Sequence, residues 1–61
     1  MLNKRHGAIL GLLQEQGALS LAALAQALAV SAETVRRDVR AMAEAGAVVR
    51  VHGAVWLAGQ T

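Results

Sequence analysis

Apolar residues recur at intervals of three and four along most of this chain and then give way to a β-branched run. In the first segment Ile9 and Leu13 stand four apart with Leu10 beside them, which predicts one buried stripe on a helix from about Asn3 to Gln16. Asn3 is positioned to cap this helix, and Gly17 to end it in a left-handed conformation. Gly7 and Gly11 lie inside it, each costing up to about 1 kcal/mol against alanine, so the helix is expected to depend on tertiary packing. Ala18-Leu19-Ser20 reads as a short bridge, with Ser20 as the cap of a second helix from Leu21 to about Leu28. Leu24, Ala25 and Leu28 are its expected buried set, and Ala29-Val30 is the turn that follows.

The third helix separates its faces most sharply. Ser31 sits at its N-cap position, and Gly46 follows its end near Ala45. At about 100° per residue, Val35, Val39 and Met42 share one stripe, while Glu33, Arg36, Arg37 and Arg40 fall on the opposite side. The period then changes. Ala47 to Val51 reads as a strand, His52-Gly53 as a turn and Ala54 to Leu57 as the returning strand. The order predicts a mainly α fold with a small β-hairpin, a winged helix-turn-helix of three helices plus a two-stranded wing. Residues 1–58 form that single domain, with 59–61 as a tail or the stub of a linker.

Composition narrows the functional classes. A chain of 61 residues forms one small domain that buries only about 60% of its unfolded surface. It has no cysteine, two separated histidines and four acidic residues, so neither a disulfide nor a structural zinc is expected, and no cofactor. The hydrophobic fraction of 56% is inflated by alanine, and no apolar run approaches the ~18 residues of a membrane span. The basic start, Lys4-Arg5-His6, leads into no continuous signal core because Gln14, Glu15 and Gln16 interrupt it, so a soluble, cytoplasmic chain is expected.

Net charge is only +2, so the placement of the cations matters more than their number. Arg36, Arg37 and Arg40 cluster on a helix whose other face is apolar, Lys4 and Arg5 pair at the start, and Arg50 lies in the predicted wing. Any surface helix can show a charged face, but in this order of elements the arginine face lies on the helix that a winged helix presents to a DNA major groove. Glu33 and Arg37 are the candidates for base readout, since arginine can donate two hydrogen bonds to guanine and glutamate can accept from cytosine; the competing role for Glu33 is an intrahelical pair with Arg37. Arg36 is placed for bases or phosphate, Arg40 for phosphate, and Ala32 is small enough to lie against a thymine methyl. Ser31 and Thr34 serve either as caps or as phosphate contacts.

Asp38, on the flank of the helix, reads as structural, pairing with Arg5 or capping backbone groups; the alternative is that it orients Arg37 or another arginine. Lys4 and Arg5 are placed for phosphate contact, against a simple role in solubility. Arg50 and His52 are placed for phosphate or minor-groove contact from the wing. His6 is expected on the surface, and Trp56 is expected to cover the core beneath the hairpin rather than stack on a base.

These residues also match a family pattern. Arg5, Ile9 and Leu13 stand four apart, and Ser31, Thr34, Val35, Arg36, Arg37, Asp38 and Val39 follow in register as Ser-x-x-Thr-aliphatic-Arg-Arg-Asp-aliphatic. Leu24-Ala25, Val30-Ser31 and the wing residues Arg50-Val51-His52-Gly53-Ala54 complete it. The chain resembles the N-terminal DNA-binding domain of DeoR-type bacterial transcriptional repressors over nearly its whole length. It departs from the family in having one wing glycine, Gly53, where two are usual, and in the glycines of the first helix.

The resemblance implies sequence-specific binding of a double-stranded DNA operator, with helix 31–45 as recognition helix, in repression of a sugar or metabolite operon in a bacterial, nucleoid-associated setting. It further implies an effector-sensing C-terminal domain, absent from this sequence, through which a homodimer would form on DNA, so no small molecule is expected to bind here. Two other classes compete. A winged helix can serve as a protein-interaction module, here through the aliphatic surface near Leu21 and Trp56. An enzyme has the least support, since no nucleophile and base pair up and no phosphate loop is present.

Overall fold

The first helix, α1 (Lys4–Gln16), buries His6, Ile9 and Leu13, which recur at three and four along one face. The computed structural model describes residues 4–59, so the predicted cap Asn3 and the final residues Gln60 and Thr61 lie outside the described residues. At Gly17 the backbone turns to φ 87, and its N–H donates to the Leu13 carbonyl at 2.8 Å, closing α1. The chain then runs extended as β1 (Ala18–Ser20). Ser20 begins α2 (Leu21–Leu28): its Oγ accepts from the Ala23 N–H at 3.0 Å, the capping bond that its sequence position predicts.

After a turn, α3 (Ala32–Glu44) buries Val35, Asp38, Val39 and Met42 on one side. Strands β2 (Val48–Val51) and β3 (Ala54–Leu57) form the hairpin, joined by His52 and Gly53 at φ 54 and 80. Two successive positive φ values make this a two-residue turn whose twist suits antiparallel strands, the tight connection that a single glycine permits.

The bridge Ala18–Ser20 is a strand rather than a plain linker. It pairs antiparallel with β3, Leu19 opposite Val55, so the sheet has three strands in the order β1-β3-β2. Three residues carry too little pattern to announce a strand, and the partner that makes this one lies far along the chain.

The register sorts the sheet into two faces. Arg50 lies opposite Val55 and Val48 opposite Leu57, so these four side chains share the face that packs on the helices, together with Leu19. Val49, Val51, Ala54, Trp56 and Ala18 alternate onto the outer face. Trp56 therefore does not cover the core; it is half-buried among its cross-strand neighbours Ala18 and Val49. The core consists of Ile9, Leu13, Leu24, Ala25, Val35, Val39, Met42, Val48 and Val55, drawn from all three helices and the hairpin. Leu28, expected among the buried residues, is half-buried at its edge.

A polar cluster ties α1 to α3. The guanidinium of Arg5 donates to both oxygens of Asp38, through Nε to Oδ2 and through Nη2 to Oδ1 at 3.1 Å. His6 Nε2 lies 3.2 Å from the same Oδ1. Asp38 thus pairs with Arg5, one of the roles its flanking position suggests. His6 is buried beside it rather than standing on the surface. A carboxylate buried without partners would be costly; here the bidentate arginine holds the Asp38 carboxyl below its ordinary range, assisted by His6 and opposed by burial.

Two helix ends use the same closure with different residues. After α3, the Gly46 N–H donates to the Ala43 carbonyl and the Ala47 N–H to the Met42 carbonyl, with Gly46 at φ 82. After α2, the Ala29 N–H donates to Gln26 and the Val30 N–H to Ala25, but the left-handed residue is alanine, at φ 58.

Two stability predictions follow from these features. A left-handed alanine costs about 1–2 kcal/mol, and glycine's extra freedom in the unfolded chain returns only about 0.4–1, so Ala29→Gly should stabilise by up to about 1.5 kcal/mol. Gly7 is exposed within α1, and a Cβ there would meet nothing within 4 Å, so the opposite change, Gly7→Ala, should also stabilise, by about 0.5–1 kcal/mol. Urea midpoints measure both, and a lowered midpoint in either variant contradicts its assignment.

The third concerns pH. Because Asp38 has a lower pKa folded than unfolded, its contribution is fully present above the ordinary carboxylate range and is lost as pH falls through the folded value. Asp38→Asn should cost about 1–3 kcal/mol at neutral pH and leave a shallower acid dependence than the parent has. Parallel acid profiles for the two proteins, from denaturation between neutral pH and pH ~3, would show that the carboxylate is not held.

Candidate nucleic-acid interface

The candidate surface begins where α3 begins. Ser31 is extended at φ -74 and ψ 156, and its Oγ accepts from the Thr34 N–H at 3.1 Å. The two hydroxyls also lie 3.0 Å apart. Ser31 is thus engaged as a cap, and the exposed hydroxyl pair stands at the positive end of the helix, where an anion is favoured.

From this start the outer face of α3 carries charged residues interspersed with alanine. Ala32, Glu33, Arg36, Arg37 and Arg40 are all exposed, because the opposite stripe of Val35, Val39 and Met42 is fully buried and sets the roll of the helix. Glu33 pairs with Arg36, Oε1 to Nη2 at 3.3 Å, rather than with Arg37 as the i,i+4 spacing suggests. Both partners are about 60% exposed, so solvent screens the pair and it contributes little to stability. Arg37 and Arg40 make no ion pair among the described residues, and each presents a planar fork of N–H donors to solvent.

The wing adds a fourth arginine. Sharing the inner face of the sheet with Val55 directs Arg50 toward α3, where Arg36, Arg40, Ala43, Glu44 and Arg50 line an open cleft of about 420 Å³. Glu44 is the member that the sequence reading passed over. Its signal was available, since it stands four residues after Arg40 on the same exposed face.

The other candidates are more scattered. His52 is exposed at the tip of the hairpin and Lys4 at the start of α1, neither of them lining the cleft. Arg5, a candidate phosphate contact, directs its guanidinium to Asp38. Thus Ser31, Ala32, Glu33, Thr34, Arg36, Arg37 and Arg40 share one helix surface that Arg50 joins, while Lys4 and His52 are carried by other elements and Arg5 is engaged by Asp38. Among the described residues no three His, Cys, Asp or Glu side chains gather as a metal site, and no helix is long and apolar enough to cross a membrane.

Comparison with known proteins agrees with this geometry. The family model described as the DeoR-like helix-turn-helix domain matches residues 5–61. The HTH-type transcriptional repressor CsqR of Escherichia coli K12 is 45% identical over 51 residues, which is 84% of this chain and 20% of that repressor. The glycerol-3-phosphate regulon repressor of the same organism is 38% identical over 50 residues, 82% of this chain and 20% of its own length, and the Shigella flexneri protein of that name matches equally. The chain therefore spans about a fifth of the length of these curated relatives. No solved structure matches significantly. With residues 5–61 matched and the arginine-bearing side of α3 exposed, the chain belongs to the DeoR-like helix-turn-helix family.

Proposed function

We propose that this domain is the operator-reading part of a transcriptional repressor, binding duplex DNA with α3 in the major groove and the hairpin beside it. The observation that carries the reading is the exposed arginine face of α3, with Arg37 and Arg40 unpaired among the described residues and Arg50 adjoining from the wing. A helix of this size fits the major groove, where guanidinium forks can meet guanine O6 and N7.

Roles divide along the helix. Arg37 reads bases, with Glu33 beside it accepting from cytosine, and Ala32 packs on a thymine methyl. Arg36, tethered to Glu33 in the free domain, exchanges that screened pair for a base or phosphate contact. Arg40 and the N-terminal hydroxyls of Ser31 and Thr34 meet the backbone, and Lys4 adds to the positive field, while the charge of Arg5 is taken up by Asp38. His52 approaches the minor groove from the wing tip.

The domain's work in this reading is binding, with neither catalysis nor a cofactor. Resemblance to a glycerol-3-phosphate regulon repressor supports control of a sugar or related metabolite operon in the bacterial cytoplasm. Two copies on a palindromic or repeated site, joined by chain beyond this domain, would match protein symmetry to operator symmetry. One observation favours a second reading, a protein-interaction surface: the outer sheet face carries Val49, Ala54 and Trp56, with Val51 exposed.

Anisotropy titration against a random duplex pool, with sequencing of the retained fraction, separates the readings. The DNA reading predicts salt-sensitive retention, with a log–log slope of about −0.9 per phosphate contacted, and an enriched motif. No retention at low salt sinks it in favour of the protein-interaction surface. On the enriched site Arg37→Ala should cost about 1–3 kcal/mol and relax preference at one position. Unchanged affinity and preference in that variant would remove Arg37 from base readout.

A further inference from the structure

The cleft between α3 and β2 has a composition that the folding of the domain does not explain. Arg40 and Arg50 approach it from two different elements, Arg36 lines it too, and neither Arg40 nor Arg50 has an acidic partner within ion-pair distance among the described residues. Glu44 lines the same cleft without forming an ion pair. Like charges gathered around one space oppose each other and do nothing for the core, so the arrangement is suited to an anion that enters between them.

We propose that this cleft seats one backbone phosphate of the bound DNA, gripped from opposite sides by Arg40 on α3 and Arg50 on β2, and that Glu44 in its wall limits how strongly any duplex is held. The proposal deepens the DNA-binding reading and rests on it.

Three features support a phosphodiester over a free anion. The cleft is open, so a chain can enter and leave it, whereas sites for small ligands enclose most of their occupant. Both grips are rigid at their roots. Arg40 stands in the interior of α3, and Arg50 is held in the hairpin ladder opposite Val55, behind the closure of Gly46 and Ala47. The cleft also adjoins the proposed readout face, sharing Arg36 with it, so a phosphate held there would set the register of the helix against the base edges. Glu44 faces whatever occupies the cleft with a like charge. It therefore lowers backbone affinity on every sequence equally and leaves the ratio between operator and other DNA to the readout residues.

The test is a salt series of anisotropy titrations with the operator and a scrambled duplex, using the parent, Arg50→Gln and Glu44→Gln. Both substitutions are at exposed positions, and far-UV circular dichroism checks that each variant folds. Arg50→Gln should weaken both duplexes alike, by about tenfold, and reduce the salt slope by about 0.9, while Arg50→Lys restores most of the slope. Glu44→Gln should tighten both duplexes several-fold at an unchanged specificity ratio. The proposal is overturned if Arg50→Gln affects neither duplex or the operator alone, or if Glu44→Gln fails to tighten binding. It is also overturned if inorganic phosphate shifts the Arg50 side-chain resonance while the parent's binding of duplex survives Arg50→Gln, since the cleft then holds a free anion. A parent that binds neither duplex at low salt instead removes the DNA-binding reading itself.

Discussion

The rest of this structure depends on the burial of one side of α3. Val35, Val39 and Met42 are fully removed from water, each contributing about 1.5–3 kcal/mol, and no other element supplies as many fully buried side chains. In a chain of this size that contribution rivals the net stability of the whole domain, so α3 cannot roll without unfolding it. A fixed roll is what an interface helix requires. The residues left outside, Glu33, Arg36, Arg37 and Arg40, face solvent because the opposite stripe has nowhere else to go.

The Asp38 cluster adds precision rather than bulk stability. Removing a carboxylate from water is costly, and its pairing with Arg5 and His6 offsets that cost without giving a large surplus. What it adds is geometry. Asp38 lies mid-way along α3, while Arg5 and His6 occupy the first turn of α1, so the cluster resists a slide of one helix along the other that apolar contacts alone would tolerate. It also keeps one of the three carboxylates of α3 in the interior, neutralised by Arg5, while Glu33 and Glu44 remain on the exposed side.

The surface side divides its charges between two tasks. The screened Glu33–Arg36 pair is weak enough to be exchanged for a better partner in the proposed complex. Arg40 and Arg50 are left with no partner to exchange among the described residues, and they converge only because β2 is laid against α3 by the short closure at Gly46 and Ala47. In the proposed reading, backbone affinity and base selection reside on neighbouring parts of α3, with Arg50 of β2 adding to the first. Salt weakens the first steeply, while the second depends on hydrogen bonds that the wrong base leaves unmade.

Much of this was legible in the amino-acid order. The three helices, their serine caps at Ser20 and Ser31, the glycine closures, the hairpin with its His52-Gly53 turn and the arginine face of α3 all arise from local rules: periodicity, capping and turn chemistry act over a few residues. The Arg5–Asp38 pair could be anticipated as one of several options, because a carboxylate beside an apolar stripe needs a cation from elsewhere. Other features needed the assembled fold. Ala18–Ser20 becomes a strand only because β3 arrives beside it, and His6 becomes a buried partner only because α3 places Asp38 there. Trp56 lies on the outer face because it follows Val55 in β3, and the register commits Val55 to the core. The cleft of Arg36, Arg40, Glu44 and Arg50 exists in no single segment. Sequence by itself determined what each segment is, since that depends on neighbours along the chain; tertiary structure decided which charges meet, since that depends on neighbours across space.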